Sequence, residues 1–258
     1  LARAFAQSYN MVAIRVANEV GGQHVIDVAR RLGVASQLHN YHSLALGAQE
    51  VTLLEMTQAY GAMASQGYRV EAHGVSRIRR THDSEIMWSW RQSGGRPRVV
   101  EERPLRYMNY MMSRVVESGT GTVARMSGRQ IGGKTGTGND YRDAWFVGFT
   151  PGIVTGVWVG NDNFTETARV TGGSLPAEIW ARFMPVALRD VPIRELQMPG
   201  PGDYEVGRPD PISPTLSAIG APLGNAPPNA RPSDAEDRTL DFGPEVFQHE
   251  VNRFEPKR

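Results

Sequence analysis

The chain has no cysteine, which excludes disulfides, thiolate metal sites and thiol nucleophiles. It is nearly devoid of lysine: of 28 basic residues only Lys134 and Lys257 are lysine. No apolar run approaches the roughly 18 residues needed to span a bilayer. The formal net charge is +1, so there is no global electrostatic case for nucleic acid. The histidines, His24, His39, His42, His73, His82 and His249, form no H-E-x-x-H pair. The nearest spacing, His39 and His42, has no acidic or Cys third ligand beside it, so neither a metal nor another cofactor is expected. The sequence opens at Leu1, without an initiator Met or a visible secretory signal.

At 40% hydrophobic residues over 258 positions there is material for one sizeable core. Charge and proline are segregated. Residues 198–258 hold ten acids and six bases, a net of −4 that leaves +5 on residues 1–197. Eleven of the seventeen prolines lie beyond Met198. Residues 1–197 are therefore expected to fold. Residues 198–258, with no amphipathic period, are expected to form a disordered tail. A partner-binding segment around Leu240–Phe247 is the alternative reading.

Within the first part the periodicity is mostly helical at the start. Residues 1–10 read as the end of a helix, with Asn10 as N-cap of a second carrying Val12, Val16 and Val20. A third places Val25, Val28, Ala29 and Leu32 on one stripe and meets Gly33 at its C-cap. Thr52 and Glu55 have capping-box spacing at the head of a helix that ends before Gly67. Residues 68–100 read as short strands on a loop-rich excursion. Pro104 opens a helix with Leu105, Met108, Met112, Val115 and Val116 inward, ending at Gly119-Thr120-Gly121. Strands are expected near Gln130–Gly138, at Ala144–Thr150 and at Ile153–Gly160, the last two joined by Pro151-Gly152 and central in a doubly covered sheet. Pro176 begins a final helix with Ile179, Trp180, Phe183, Met184 and Ala187.

Gly128–Thr135, GRQIGGKT, fits the phosphate-loop expression, but that motif needs a buried strand before it and a helix straight after it. Neither flank qualifies, so no nucleotide site is expected. Lys134-Thr135-Gly136-Thr137 reads better as an extended strand, Lys134 and Gly136 facing one way, Thr135 and Thr137 the other. Gly136 lets another backbone approach, and a substrate peptide could pair along the strand. In a chain that uses Arg almost everywhere, a Lys here points to a compact point charge that a guanidinium fork replaces poorly. The bland alternative is a surface Lys beside a Gly-rich turn. For Ser8-Tyr9-Asn10, a loop between helices would turn Ser8 and Asn10 toward one cleft. The alternative is that Asn10 only caps a helix.

In this order, SYNMVAIRVANEVG, SLALGAQEVTLLEMTQAYGAMASQG, GTGTVA, GGKTGTGNDYRDAWFVGFTP, GVWVGND and TGGSLPAEIW resemble the transpeptidase domain of a class A (bifunctional) penicillin-binding protein. The resemblance runs from about Leu1 to Arg189. It implies an α+β, β-lactamase/transpeptidase-like fold, an antiparallel sheet flanked by helices, present here as a partial domain. It also implies three site motifs, S-x-x-K, S-x-N and K-T-G. The second maps onto Ser8 and Asn10, the third onto Lys134, Thr135 and Gly136, followed by Thr137. By resemblance Ser8 relays a proton, Asn10 holds the acyl amide and Lys134 keeps the site electropositive. Thr137 helps bind the terminal carboxylate and supplies half of an oxyanion hole through its N–H.

The first motif is absent. The residues three before Lys134 and Lys257 are Ile131 and Phe254, so no Ser-x-x-Lys exists in the chain. The resemblance places the nucleophile and its lysine upstream of Ser8, and truncation is the expected reason. The expected ligands are peptidoglycan stem peptides and β-lactams. The expected partner is an upstream glycosyltransferase and N-terminal transpeptidase segment, anchored by a missing helix at the periplasmic face of the inner membrane. A non-catalytic module binding cell-wall peptides, or a D,D-carboxypeptidase or β-lactamase relative, are the rival readings.

Overall fold

The sheet that organises the chain is short and strongly apolar at its centre. In the computed structural model, which describes residues 1–90 and 95–200, strands β3 (Gly132–Thr137), β4 (Asp143–Thr150) and β5 (Ile153–Gly160) form an antiparallel sheet in the order β3-β4-β5. Gly132 pairs with Phe149 and Thr137 with Ala144; Asp143 pairs with Gly160 and Thr150 with Ile153. The two-residue Pro151-Gly152 connection, with Gly152 at φ 100°, closes the second hairpin as its sequence demands. Successive β4 side chains alternate between faces and each face meets a separate core. Phe146 packs with Val116, Ala124, Ile131, Ala177, Trp180, Met184 and Leu188. Phe149 packs with Met63, Ala64, Leu105, Met112 and Leu196.

Helices cover both faces. α4 (Leu53–Ala64) and α5 (Glu102–Ser118) supply most of the Phe149 core, and α6 (Leu175–Ala187) brings Ala177, Trp180 and Met184 to the Phe146 core. Trp180 is fully buried, meets Phe146 edge-on with ring centroids 5.5 Å apart, and donates its indole N–H to Gly148 O at 3.2 Å. Each such aromatic contributes about 1.5–3 kcal/mol by burial. α1 (Ala2–Ala6), α2 (Asn10–Val20) and α3 (Gly22–Leu32) precede this core in sequence, and β1 (Arg77–Arg79) and β2 (Ile86–Ser89) form a separate antiparallel pair in the expected excursion. The Thr52–Glu55 capping box is present with both reciprocal bonds. Gly33 is left-handed at the end of α3.

Several expectations need correction. Tyr9, not Asn10, is the N-cap of α2; Asn10 is the first helical residue and caps nothing. α5 begins at Glu102, two residues before Pro104, because a proline needs no backbone donor in a first turn. β4 is central as expected, but β5 is an edge strand among the described residues and only half-buried. On α6 the inward stripe is Ala177, Trp180 and Met184, while Ile179 and Phe183 face outward. Ile26, not Val28, is the buried residue of α3. These last two slips share a cause: an apolar helix wider than its contact leaves periodicity unable to choose the inner stripe. The expected tail, with its Leu240–Phe247 alternative, lies outside the described residues.

Candidate active site

α1 ends in a double hydrogen-bonded turn. Ser8 N–H donates to Phe5 O at 3.1 Å and Tyr9 N–H to Ala4 O at 2.9 Å, the pairing of a Schellman cap. The residue that must turn left-handed in such a cap is usually Gly, yet here it is Ser8, at φ 55°. A side chain in that region costs on the order of 1 kcal/mol, so the serine is held against backbone preference. Its Oγ accepts from Lys134 Nζ at 2.9 Å, across 126 residues of sequence.

Lys134 is the third residue of β3 and half-buried. Its Nζ also donates to Thr135 O at 3.0 Å and lies 5.8 Å from the centre of the Phe5 ring. Desolvation by burial lowers its pKa from 10.5 to about 8. The ammonium therefore prevails at neutral pH, yet gives up its proton more readily than a solvated lysine. Phe5 is a residue sequence reasoning missed: it packs against the Phe149 core and puts its ring under the cation. No period or motif in the sequence links Phe5 to Lys134.

The remaining strand residues divide as the alternation requires. Thr135 Oγ1 shares a 2.6 Å hydrogen bond with Thr120 Oγ1. Thr137 is exposed, and its Oγ1 accepts from Gly172 N–H at 3.1 Å. Gly136 does receive a close backbone, but the one present belongs to the same chain. A Cβ on Gly172 would stand 2.4 Å from Gly136 O and 2.3 Å from Trp145 O. Asn10 is exposed at the start of α2, with no hydrogen-bond partner for its carboxamide among the described residues. The fold thus joins Ser8 directly to Lys134, ties Thr135 and Thr137 to neighbouring loops, and leaves Asn10 unengaged. The phosphate-loop expression ends inside β3 with no helix following, since the next element is a single 3-10 turn at Asn139–Tyr141. Among the described residues no three His, Asp or Glu side chains converge on a metal-sized site.

A hydroxyl bonded to a partly desolvated ammonium can accept a proton and pass one on, which is the chemistry of serine acyl transfer. Helices on both faces of an antiparallel sheet, with a Ser–Lys pair at one edge strand, place the chain in the transpeptidase-like α+β class. The family model of the penicillin binding protein transpeptidase domain matches residues 1–185, and the chain belongs to that family. It is 34% identical over 214 residues to penicillin-binding protein 1A of Rickettsia conorii, covering 75% of this chain and 27% of that protein. It is 36% identical over 217 residues to penicillin-binding protein 1A of Neisseria lactamica, covering 79% and 27%. The chain thus spans about a quarter of the length of these relatives. The crystal structure of penicillin-binding protein 1A from Haemophilus influenzae aligns with TM-score 0.66 at 27% identity, over 77% of this chain and 36% of that one. PonA1 of Mycobacterium tuberculosis in complex with penicillin V shares the fold, with TM-score 0.68 at 23% identity over 82% and 62% of the two chains. Among the described residues no helix is long and apolar enough to cross a membrane.

Proposed function

We propose that residues 1–197 are the C-terminal part of a serine-type peptidoglycan D,D-transpeptidase domain of the class A kind, working with an S-x-x-K segment elsewhere in the polypeptide. The observation that carries this reading is the 2.9 Å bond between Lys134 Nζ and Ser8 Oγ, which brings an S-x-N and a K-T-G motif together. In the proposed reaction the S-x-x-K serine attacks the penultimate D-Ala carbonyl of a stem peptide. The terminal D-Ala leaves as its amine is protonated, and a neighbouring peptide's amine then displaces the serine. Ser8 relays the proton to and from these amines, and Lys134 stabilises the anionic groups at the site. Asn10 is free to hold the acyl amide, and Thr135 and Thr137 bind the terminal carboxylate. Thr137 N–H offers one oxyanion donor. Gly136 keeps the strand narrow. β-Lactams enter the same site as acyl donors. The working location is the periplasmic face of the inner membrane, with an upstream glycosyltransferase and membrane anchor as partners in the same polypeptide.

Intact-mass spectrometry with a labelled β-lactam tests this. The 258-residue chain alone should gain no adduct. The same chain joined to an upstream S-x-x-K segment should gain one, on the new serine. A stoichiometric adduct on the isolated chain would contradict the division of the site.

A further inference from the structure

The Gly119-Thr120-Gly121 turn reads in sequence only as a helix stop. In the fold three segments of the site meet on it. Thr120 N–H donates to Ala6 O at 3.1 Å, two residues before Ser8. Gly119 makes room for this contact, since a Cβ there would sit 2.3 Å from the same carbonyl oxygen. Gln7 reinforces it by donating from Nε2 to Ser118 O at 3.0 Å. On its other side Thr120 bonds through Oγ1 to Thr135 Oγ1 at 2.6 Å, one residue past Lys134. The carbonyl of Thr120 faces Gly173, where a Cβ would stand 2.2 Å from it, and the adjacent Gly172 N–H bonds to Thr137 Oγ1.

Counting protons shows what the hydroxyl adds. Two hydroxyls share one bond, so one proton is spent and the other is left, with no protein acceptor for it among the described residues. Thr137 Oγ1 uses its oxygen to accept, so its proton is unspent too. One O–H of the Thr120–Thr135 pair and that of Thr137 thus remain unspent, a donor set suited to a carboxylate. A residue needed only to stop α5 would need the backbone bond and no hydroxyl.

We propose that Thr120 is a positioning residue of the transpeptidase site: its backbone pins the Ser8 turn to the Lys134 strand, and its hydroxyl orients that of Thr135, leaving one O–H of the pair to donate to the carboxylate of the acyl donor. This rests on the function proposed above and extends it to a residue outside the three motifs.

The test uses the chain joined to an S-x-x-K segment and two probes, a β-lactam with a free carboxylate and its methyl ester. The wild type should be acylated faster by the free acid. Thr120→Val keeps the volume and the backbone bond but removes the hydroxyl. It should slow acylation by the acid on the order of tenfold, the cost of a lost or misdirected hydrogen bond to a charged group, while scarcely changing the ester. Thr120→Ser should restore the preference for the acid. Should the valine variant unfold, Thr120→Ala carries the same comparison. Wild-type behaviour of the valine variant, or equal slowing of both probes without rescue by serine, would overturn the proposal and leave the transpeptidase reading standing. Failure of the wild type to react with either probe would overturn that reading, and this proposal with it.

Discussion

Lys134 stands on a strand whose neighbour β4 buries Ala144 and every residue from Phe146 to Thr150, whereas Ser8 stands on a turn that leads into α2, a helix with no fully buried residue. The Lys134 side is positioned by core packing. The Ser8 side is positioned by the buried Ala6 and half-buried Phe5 of the short α1 and by a few hydrogen bonds: two within its own cap, one from Thr120 to Ala6, one from Gln7 to Ser118, and the Lys134 contact itself. Packed cores resist deformation, while a turn held by exposed hydrogen bonds opens at lower free energy. One side of the site is therefore a fixed wall, and the other a hydroxyl whose placement is tunable by single substitutions.

The largest effect should come from breaking the fixed wall. Trp180→Ala removes the side chain that seals Gly148 and Phe146, and should cost about 3–5 kcal/mol, read by chemical denaturation. Loss of less than about 1 kcal/mol would show that α6 is not what holds the sheet.

Next in size is the clamp at Glu55. Its carboxylate accepts from Thr52 N–H at 2.9 Å, Ala35 N–H at 2.9 Å, Ser36 N–H at 2.8 Å and Ser36 Oγ at 2.7 Å, so it fastens the loop after α3 to the head of α4. The Ser36 hydroxyl bond foremost, then the backbone donors, lower its pKa from 4.5 to about 2. Glu55→Ala should cost about 1–2 kcal/mol at neutral pH, in the range of lost helix caps. The depressed pKa fixes the sign of the pH dependence: the contribution is complete above 4.5 and is lost as pH falls toward 2. Glu55→Gln should lack that acid limb; an unchanged acid-unfolding profile would show that the clamp does not form.

Ser8→Gly sharpens the contrast in the opposite direction. It relieves the left-handed backbone at φ 55° and should stabilise the chain by up to about 1 kcal/mol. It also removes the hydroxyl proposed to relay the proton and should slow acylation of the joined polypeptide. A glycine variant that is both less stable and equally reactive would contradict the strained-serine account.

The last effect is electrostatic and is read from the pH dependence of stability. Because the folded pKa of Lys134 is about 8 against 10.5, the native state holds fewer protons than the unfolded chain between those values. Stability should therefore rise with pH across that window relative to Lys134→Met. A flat difference between the two proteins would show that the lysine is solvated.

Much of this was legible in the sequence because it is governed by local rules. The capping box at Thr52, the Gly33 stop and the Pro151-Gly152 hairpin each follow from chemistry within a few residues. The strand alternation of Lys134 through Thr137 did too. The family resemblance, rather than any periodicity, singled out Ser8 as functional. What stayed illegible depends on distant partners. The acceptance by Glu55 from Ser36, the ring of Phe5 under Lys134, and the Thr120–Thr135 bond all join segments that no period or motif connects. Asn10 was misread as a cap because Ser8 ends α1 in a left-handed turn, which shifts the start of α2 by one residue.

The most direct test of the Ser8–Lys134 junction exploits the scarcity of lysine. A chain labelled with ¹³C and ¹⁵N at lysine shows only two side-chain resonances, Lys134 and Lys257. Titrated by NMR, one should have its midpoint near 8. Lys134→Arg should delete that signal, and Ser8→Ala should move its midpoint. If both resonances titrate together at the ordinary lysine value of 10.5, and Ser8→Ala moves neither, the ammonium does not sit against Ser8 and the account fails at its centre.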